Sequence, residues 1–217
     1  MSSLKVGVLA LQGDFAEHIE AINRCGAIGL EVRRSAQLQN LDGLIIPGGE
    51  STAIAKLTRD NHDPIFDTIR KRILEGMHVY GTCMGSIFLA KEIEGSNQGR
   101  LALMDIKVRR NAFGPQRLSF ETELSIESLG KPDFPAIFIR APIILSCGSG
   151  VEVLARTEDG IVMARQKNML VSAFHPEIAG DSRVHRLFIE MIEAARVTIP
   201  ASQAFEISKA STGVPGT

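Results

Sequence analysis

The sequence has little of what would mark a charged, extracellular or membrane-bound chain. Lysine plus arginine (24) almost balance aspartate plus glutamate (25), which leaves a formal net charge of -1 over 217 residues. No global field therefore draws in nucleic acid or an anionic membrane surface. The cysteines are few, and their positions, 25, 83 and 147, follow no pattern. An odd number at unrelated spacings argues against a disulfide framework and against a thiolate metal site, and fits a reducing, cytoplasmic setting. No apolar run approaches the length of a membrane span. The first one, over 6–11, is short and breaks at Gln12-Gly13-Asp14, so no signal peptide is expected. There is no G-x-G-x-x-G and no P-loop lysine, which leaves nothing to cradle a nucleotide phosphate. Repeats and low-complexity segments are absent. A hydrophobic content of 44% is enough for a sizeable core. The simplest organisation is one domain over 1–197, followed by a Ser/Ala/Gly/Pro-rich tail, 198–217, expected to be loosely ordered.

What is present reads as an α/β chain. Residues 4–10 form a buried first strand, followed by a helix with Phe15, Ile19 and Ile22 on one face and ending at Cys25-Gly26. Residues 28–34 and 44–46 are further strands, and Ile65, Phe66, Ile69 and Ile73 space out as a helix closed by Gly76. This alternation predicts a doubly wound, mainly parallel sheet flanked by helices. From about 100 to 173 helical periodicity gives way to strand-like runs, 103–108, 118–126, 136–140, 151–156, 161–165 and 169–174, read as additional, partly antiparallel strands. An amphipathic helix follows over 183–197.

The chain is organised around Gly81-Thr82-Cys83-Met84-Gly85. Strand-like His78-Val79-Tyr80 precedes it and an apolar helix start, Ser86-Ile87-Phe88-Leu89-Ala90-Lys91-Glu92, follows. A cysteine on so tight a strand-to-helix turn needs glycines on either side to relieve backbone crowding, which is the sequence of a nucleophile elbow. A helix N-terminus there also favours negative charge on the sulfur. A buried structural cysteine in a plain turn would fit the same five residues. After the third strand, Pro47-Gly48-Gly49-Glu50-Ser51 stands where open α/β sheets place ligands, with Ser51 able to cap a helix beginning near Thr52. A plain strand-to-helix turn is the other reading of that loop.

A cysteine nucleophile needs a base, and the base needs an orienting group. Among five histidines, His18, His62 and His185 lie in charge-rich segments and are expected to be solvated, and His78 is expected to be structural. His175 falls where a buried strand leaves the sheet, with Glu177 two residues on and Pro176 fixing the backbone between them. The loop Arg109-Arg110-Asn111-Ala112-Phe113-Gly114 and the pair Ile139-Arg140 set positive charge beside apolar anchors. They read equally as a binding site or as solvated strand ends.

Together these motifs resemble the class I, or triad, glutamine amidotransferases. Six stretches bring the resemblance nearer to the glutaminase subunits of pyridoxal 5'-phosphate synthase: Gly7-Val8-Leu9-Ala10-Leu11-Gln12-Gly13, Pro47-Gly48-Gly49-Glu50-Ser51-Thr52, Gly81-Thr82-Cys83, Arg109-Arg110-Asn111-Ala112-Phe113-Gly114, Phe138-Ile139-Arg140-Ala141-Pro142 and Phe174-His175-Pro176-Glu177. It runs from about residue 4 to 197. The resemblance implies hydrolysis of L-glutamine to L-glutamate and ammonia by a triad of Cys83, His175 and Glu177, without metal or organic cofactor. It implies an oxyanion hole from the N–H groups of Gly49 and Met84, and substrate contacts from Gly49, Glu50, Ser51, Arg110, Ile139 and Arg140. It also implies a partner, the (β/α)8-barrel subunit of the synthase, which receives the ammonia. Met84-Gly85-Ser86 departs from the Ala-Gly-Leu usual in that family. A related cysteine hydrolase of another amide or γ-glutamyl substrate, or a non-catalytic regulatory subunit, would share most of these features.

Overall fold

The structure, a computed structural model, describes residues 3–11, 13–49, 63–113 and 118–198. Expectations that fall on Gln12, Glu50, Ser51, Thr52, His62, Gly114 and the tail beyond residue 198 lie outside the described residues. Twelve strands are described: β1 (Lys5–Leu9), β2 (Ile28–Val32), β3 (Gly43–Ile46), β4 (His78–Thr82), β5 (Ala90–Ile93), β6 (Met104–Arg109), β7 (Ser119–Leu124), β8 (Phe134–Ile139), β9 (Ile143–Cys147), β10 (Glu152–Thr157), β11 (Gly160–Gln166) and β12 (Met169–Ser172). The described α-helices are α1 (Phe15–Arg24), α2 (Ile65–Leu74), α3 (Met84–Leu89) and α4 (Arg183–Thr198).

The main sheet runs β2-β1-β3-β4-β12-β11-β9-β6-β5, with β10 also paired to β11. β2, β1, β3, β4 and β12 are parallel, and β12-β11, β11-β9 and β9-β6 are antiparallel. The expected doubly wound α/β sheet with added antiparallel strands is therefore present. Successive residues of the central strands point to opposite faces. Leu44, Ile46, Val79 and Val171 join a core under α2 and α3, while Ile45, Tyr80 and Leu170 join a second core under α1 and α4. Strands buried on both faces become the continuous apolar runs seen in the sequence.

Register delivers the site. Ile46 pairs with Gly81, and Thr82 pairs with Ser172, so β3, β4 and β12 end side by side. The residues that follow each strand, Pro47 to Gly49, Cys83 and Ala173 to His175, leave one edge of the sheet together. A separate hairpin, β7–β8, covers this edge. Phe120 stacks on Phe138 at 4.7 Å, Phe113 meets both edge-on, and Phe174 packs on Phe138 at 5.7 Å. These contacts tie the neighbours of Ile139, His175 and the Arg110 loop into one aromatic block.

Three expectations need correction. The apolar helix after the elbow stops at Leu89, and Ala90-Lys91-Glu92 is extended in edge strand β5. All six helical residues are buried, so there is no polar face to prolong, and Lys91 and Glu92 instead pair across to Asp105 and Lys107. β9 lies in a segment not read as a strand. His18 and His185 are buried rather than solvated, because α1 and α4 turn these positions inward against the sheet.

Candidate active site

Cys83 sits between β4 and α3 with φ 46° and ψ -105°, a backbone conformation that costs a non-glycine residue energy. The elbow has no room for side chains on either side. A Cβ on Gly81 would lie 2.5 Å from the Gly85 carbonyl carbon, and one on Gly85 would lie 2.1 Å from the Ile46 oxygen. The Cys83 N–H donates to the Ser172 carbonyl at 2.8 Å, and the Ser86 hydroxyl donates to the Cys83 carbonyl at 2.6 Å. Ser86, one of the two departures, thus helps hold the turn. Met84, the other, is buried in the core beneath the elbow and also lines the cavity. The Cys83 sulfur lies 3.8 Å from the Ile139 carbonyl oxygen.

The His175 N–H donates to Ile137 of β8 at 2.8 Å, and the chain then enters a 3-10 turn, Pro176–Ile178. The turn brings Glu177 back under the imidazole, and Nδ1–H of His175 donates to Glu177 Oε1 at 2.7 Å. The other ring nitrogen is left for Cys83, which lines the same cavity and acts on the imidazole's pKa. Burial alone would lower the His175 pKa, but hydrogen bonds to Cys83 and Glu177 and the charge on both outweigh it and raise the value to about 10. Burial pushes the Glu177 carboxyl upward, against the opposing pull of His175. Asp14 Oδ2 lies 3.8 Å from the same Nδ1. Asp14, His175 and Glu177 thus present ligand atoms within 4.8 Å of one another. A metal-ligating nitrogen must be unprotonated, however, and Nδ1 carries the proton given to Glu177.

A cavity of about 210 Å³ opens over the sulfur. Cys83, Met84, Gly49, His175, Arg110, Ile139 and Arg140 all line it, so the sequence-predicted residues within the described chain converge, apart from Glu177, which lies behind the imidazole. Arg110 donates from Nη1 to Gln98 Oε1 at 2.8 Å. Arg140 has φ 45° and donates its N–H to the Leu118 carbonyl at 2.6 Å. The Ala112 N–H donates to Ala141 at 3.0 Å and clamps the two arginine loops together. Gly48 packs against the imidazole: a Cβ there would lie 2.5 Å from His175 Cε1. Gly49, at φ 133°, holds a conformation open only to glycine.

Sequence reasoning missed Asp14, Asn111 and Ile87 in the lining, and the polar residues behind Glu177. His18 Nε2 lies 3.4 Å from Glu177 Oε2 and 3.2 Å from Thr82 Oγ1, and His18 Nδ1 lies 2.9 Å from His185 Nε2. A signal for this burial was available. Phe15, His18 and Ile22 fall at i, i+3, i+7, and His185, Phe188, Ile189 and Ile192 at i, i+3, i+4, i+7.

The chain is similar to known proteins over most of its length. The model of the SNO glutamine amidotransferase family matches residues 8–194. A protein of Carboxydothermus hydrogenoformans named pyridoxal 5'-phosphate synthase subunit PdxT is 55% identical over 189 residues, covering 87% of this chain and 98% of its own. One of the same name from Pelotomaculum thermopropionicum is 54% identical, covering 86% and 94%. A crystal structure described as a glutamine amidotransferase superposes with a TM-score of 0.81 at 52% identity, covering 87% of this chain and 98% of that one. A putative GMP synthase component from Thermoplasma acidophilum, 20% identical with a TM-score of 0.67 over 90% of this chain and 97% of its own, shares the fold. The chain belongs to the SNO glutamine amidotransferase family.

Proposed function

We propose that this chain is the glutaminase subunit of a pyridoxal 5'-phosphate synthase, hydrolysing L-glutamine to L-glutamate and ammonia and passing the ammonia to a (β/α)8-barrel synthase subunit. The observation that carries the reading is the meeting of Cys83 and His175 in a cavity walled by two arginines, with Glu177 hydrogen-bonded to the imidazole from behind. The identity to proteins named PdxT supports the pathway.

In this reading the Cys83 sulfur attacks the side-chain amide carbon of glutamine. The N–H groups of Gly49 and Met84 receive the oxyanion, and protonated His175 gives its proton to the departing nitrogen, which leaves as ammonia. Neutral His175 then takes a proton from water, whose oxygen attacks the thioester and releases glutamate and the free sulfur. The raised pKa of His175 supplies the proton for the first step, and Glu177 holds the ring so that Nε2 faces sulfur throughout. Arg110 and Arg140 neutralise the α-carboxylate of the substrate. The Ile139 carbonyl, 3.8 Å from the sulfur, accepts a hydrogen bond from the amide nitrogen under attack.

Trapping tests the assignment. A glutamine analogue with a diazoketone in place of the amide should add one label, on the peptide containing Cys83, as glutaminase activity disappears. Burial pushes the Cys25 and Cys147 thiols upward, which keeps them protonated and slow to react. Loss of activity with the label on Cys147 or Cys25 would overturn the reading.

A further inference from the structure

We propose that His18 is a positioning residue for the proposed reaction, its Nε2–H anchoring the outer oxygen of Glu177, with His185 fixing the tautomer that makes this possible. The inference rests on the triad reading and extends it by two residues from α1 and α4.

Glu177 is 5% exposed, and its Oε1 is engaged with His175. Oε2 is buried and has no hydrogen bond of ordinary geometry among the described residues. Facing it at 3.4 Å is His18 Nε2, on a side chain fully out of solvent. A carboxylate oxygen can only accept, so the pairing is favourable in just one of the two neutral tautomers of His18. If Nε2 carries the proton, it is shared between Glu177 Oε2 and the Thr82 hydroxyl at 3.2 Å. If Nδ1 carries it, a nitrogen lone pair faces a buried carboxylate oxygen.

His185 selects between them. Its Nε2 lies 2.9 Å from His18 Nδ1, and its own Nδ1 has no partner among the described residues. With the His185 proton on Nε2, it donates to His18 Nδ1, which leaves the His18 proton on Nε2. The atom without a partner is then an acceptor, which is easier to leave alone in a core than an N–H. Burial, together with His185 and His175, keeps the His18 pKa well below its ordinary value, and burial with the charge of Arg24 lowers His185 to about 4. Both rings are therefore neutral at neutral pH, as the tautomer argument needs. The protons then run in one direction, from His185 through His18 to Glu177, and Glu177 in turn orients His175. A histidine needed only for packing would not have to present this nitrogen to this oxygen.

The test follows glutamate release by the chain saturated with its synthase barrel subunit. His18→Leu should lower kcat by about 10-fold to 10²-fold, the range seen when an outer partner of a functional group is lost, with KM for glutamine changed by less than about twofold. His18→Gln, whose amide nitrogen reaches the place of Nε2, should recover kcat to within about threefold. In a Glu177→Gln background His18→Leu should add almost nothing, since the two act as one unit. A normal kcat in His18→Leu, an additive loss in the double variant, or a His18→Gln as slow as His18→Leu would each overturn the inference. Glu177→Gln running at the wild-type rate would instead overturn the triad reading itself. Nitrogen-15 spectra of the imidazoles in the unmodified complex decide without any substitution. They should show the His18 proton on Nε2, and a proton on Nδ1 would refute the proposal.

Discussion

Gly48→Ala probes the site through a single methyl group. The Cβ would sit 2.5 Å from His175 Cε1, whereas ordinary contact begins near 3.4 Å, so the ring must retreat by about 0.9 Å. It has little freedom to do so. The imidazole is held at 2.7 Å by Glu177, and the backbone N–H of His175 is pinned to Ile137. A retreat of that size opens one or both of these hydrogen bonds. Misplacement of a catalytic group by about 1 Å costs about 10²-fold in rate, and overpacking of this kind costs about 1 to 3 kcal/mol in stability. The assay is glutamate formation in the presence of saturating synthase subunit, with a thermal melt to separate rate from folding. Gly150→Ala is the control, because its Cβ would meet only the end of Gln166 at 3.5 Å. A Gly48→Ala protein that melts normally and keeps kcat within about twofold of wild type would refute the placement of the imidazole against this loop.

Other expectations follow from the same geometry. Arg110→Ala and Arg140→Ala should each raise KM for glutamine by about tenfold or more, as expected when a charged hydrogen bond is lost, while Arg70→Ala on the exposed side of α2 should not; unchanged kinetics in both would remove the arginines from the site. Arg72 is unsuitable as that control, because it donates to the carbonyls of Leu38 and Leu41 and is not a free surface arginine. The pH dependence has a defined sign. A His175 pKa raised from 6.5 to about 10 means that protonation favours the folded state, so its stabilisation is complete below about pH 6.5 and declines as pH rises through about 10. Urea denaturation of wild type and His175→Gln should show a stability gap that narrows over this range, and a gap that widens with pH would contradict the ion-pair description.

The elbow was legible because its demands are local. A Cβ on Gly81 would meet Gly85 and Ser86, so that requirement for glycine is written within the turn, while Gly85 is required by Ile46 of the neighbouring strand and was read from the motif. His175 and Glu177 were legible for the same reason, since a proline-directed turn closes the contact between them. The convergence of Arg110, Arg140 and Gly49 on the sulfur came from family resemblance, because three loops far apart in the chain meet only through strand register and the Phe113–Phe120–Phe138 block. His18 and His185 were misread because charge along α1 and α4 outweighed the helical spacing that turns both rings inward. β5 and β9 escaped because short strands are fixed by partners elsewhere in the chain, Met104 beside Ala90 and Ile106 opposite Cys147, rather than by their own pattern.

Glutamate release measured while a pyridoxal 5'-phosphate synthase barrel subunit is titrated against this chain decides whether it is a synthase-dependent glutaminase. A Gly-Gly peptide flips at low steric cost, and we propose that docking of the synthase favours the state in which the Gly49 N–H faces the oxyanion. Losing one such donor typically costs about 10² to 10³ in turnover, so the chain alone should be slow. The rate should rise with added synthase to saturation at a fixed ratio of subunits, and Cys83→Ala should abolish it at every point. A rate already high without the synthase and flat across the titration, or one that survives Cys83→Ala, would contradict the account.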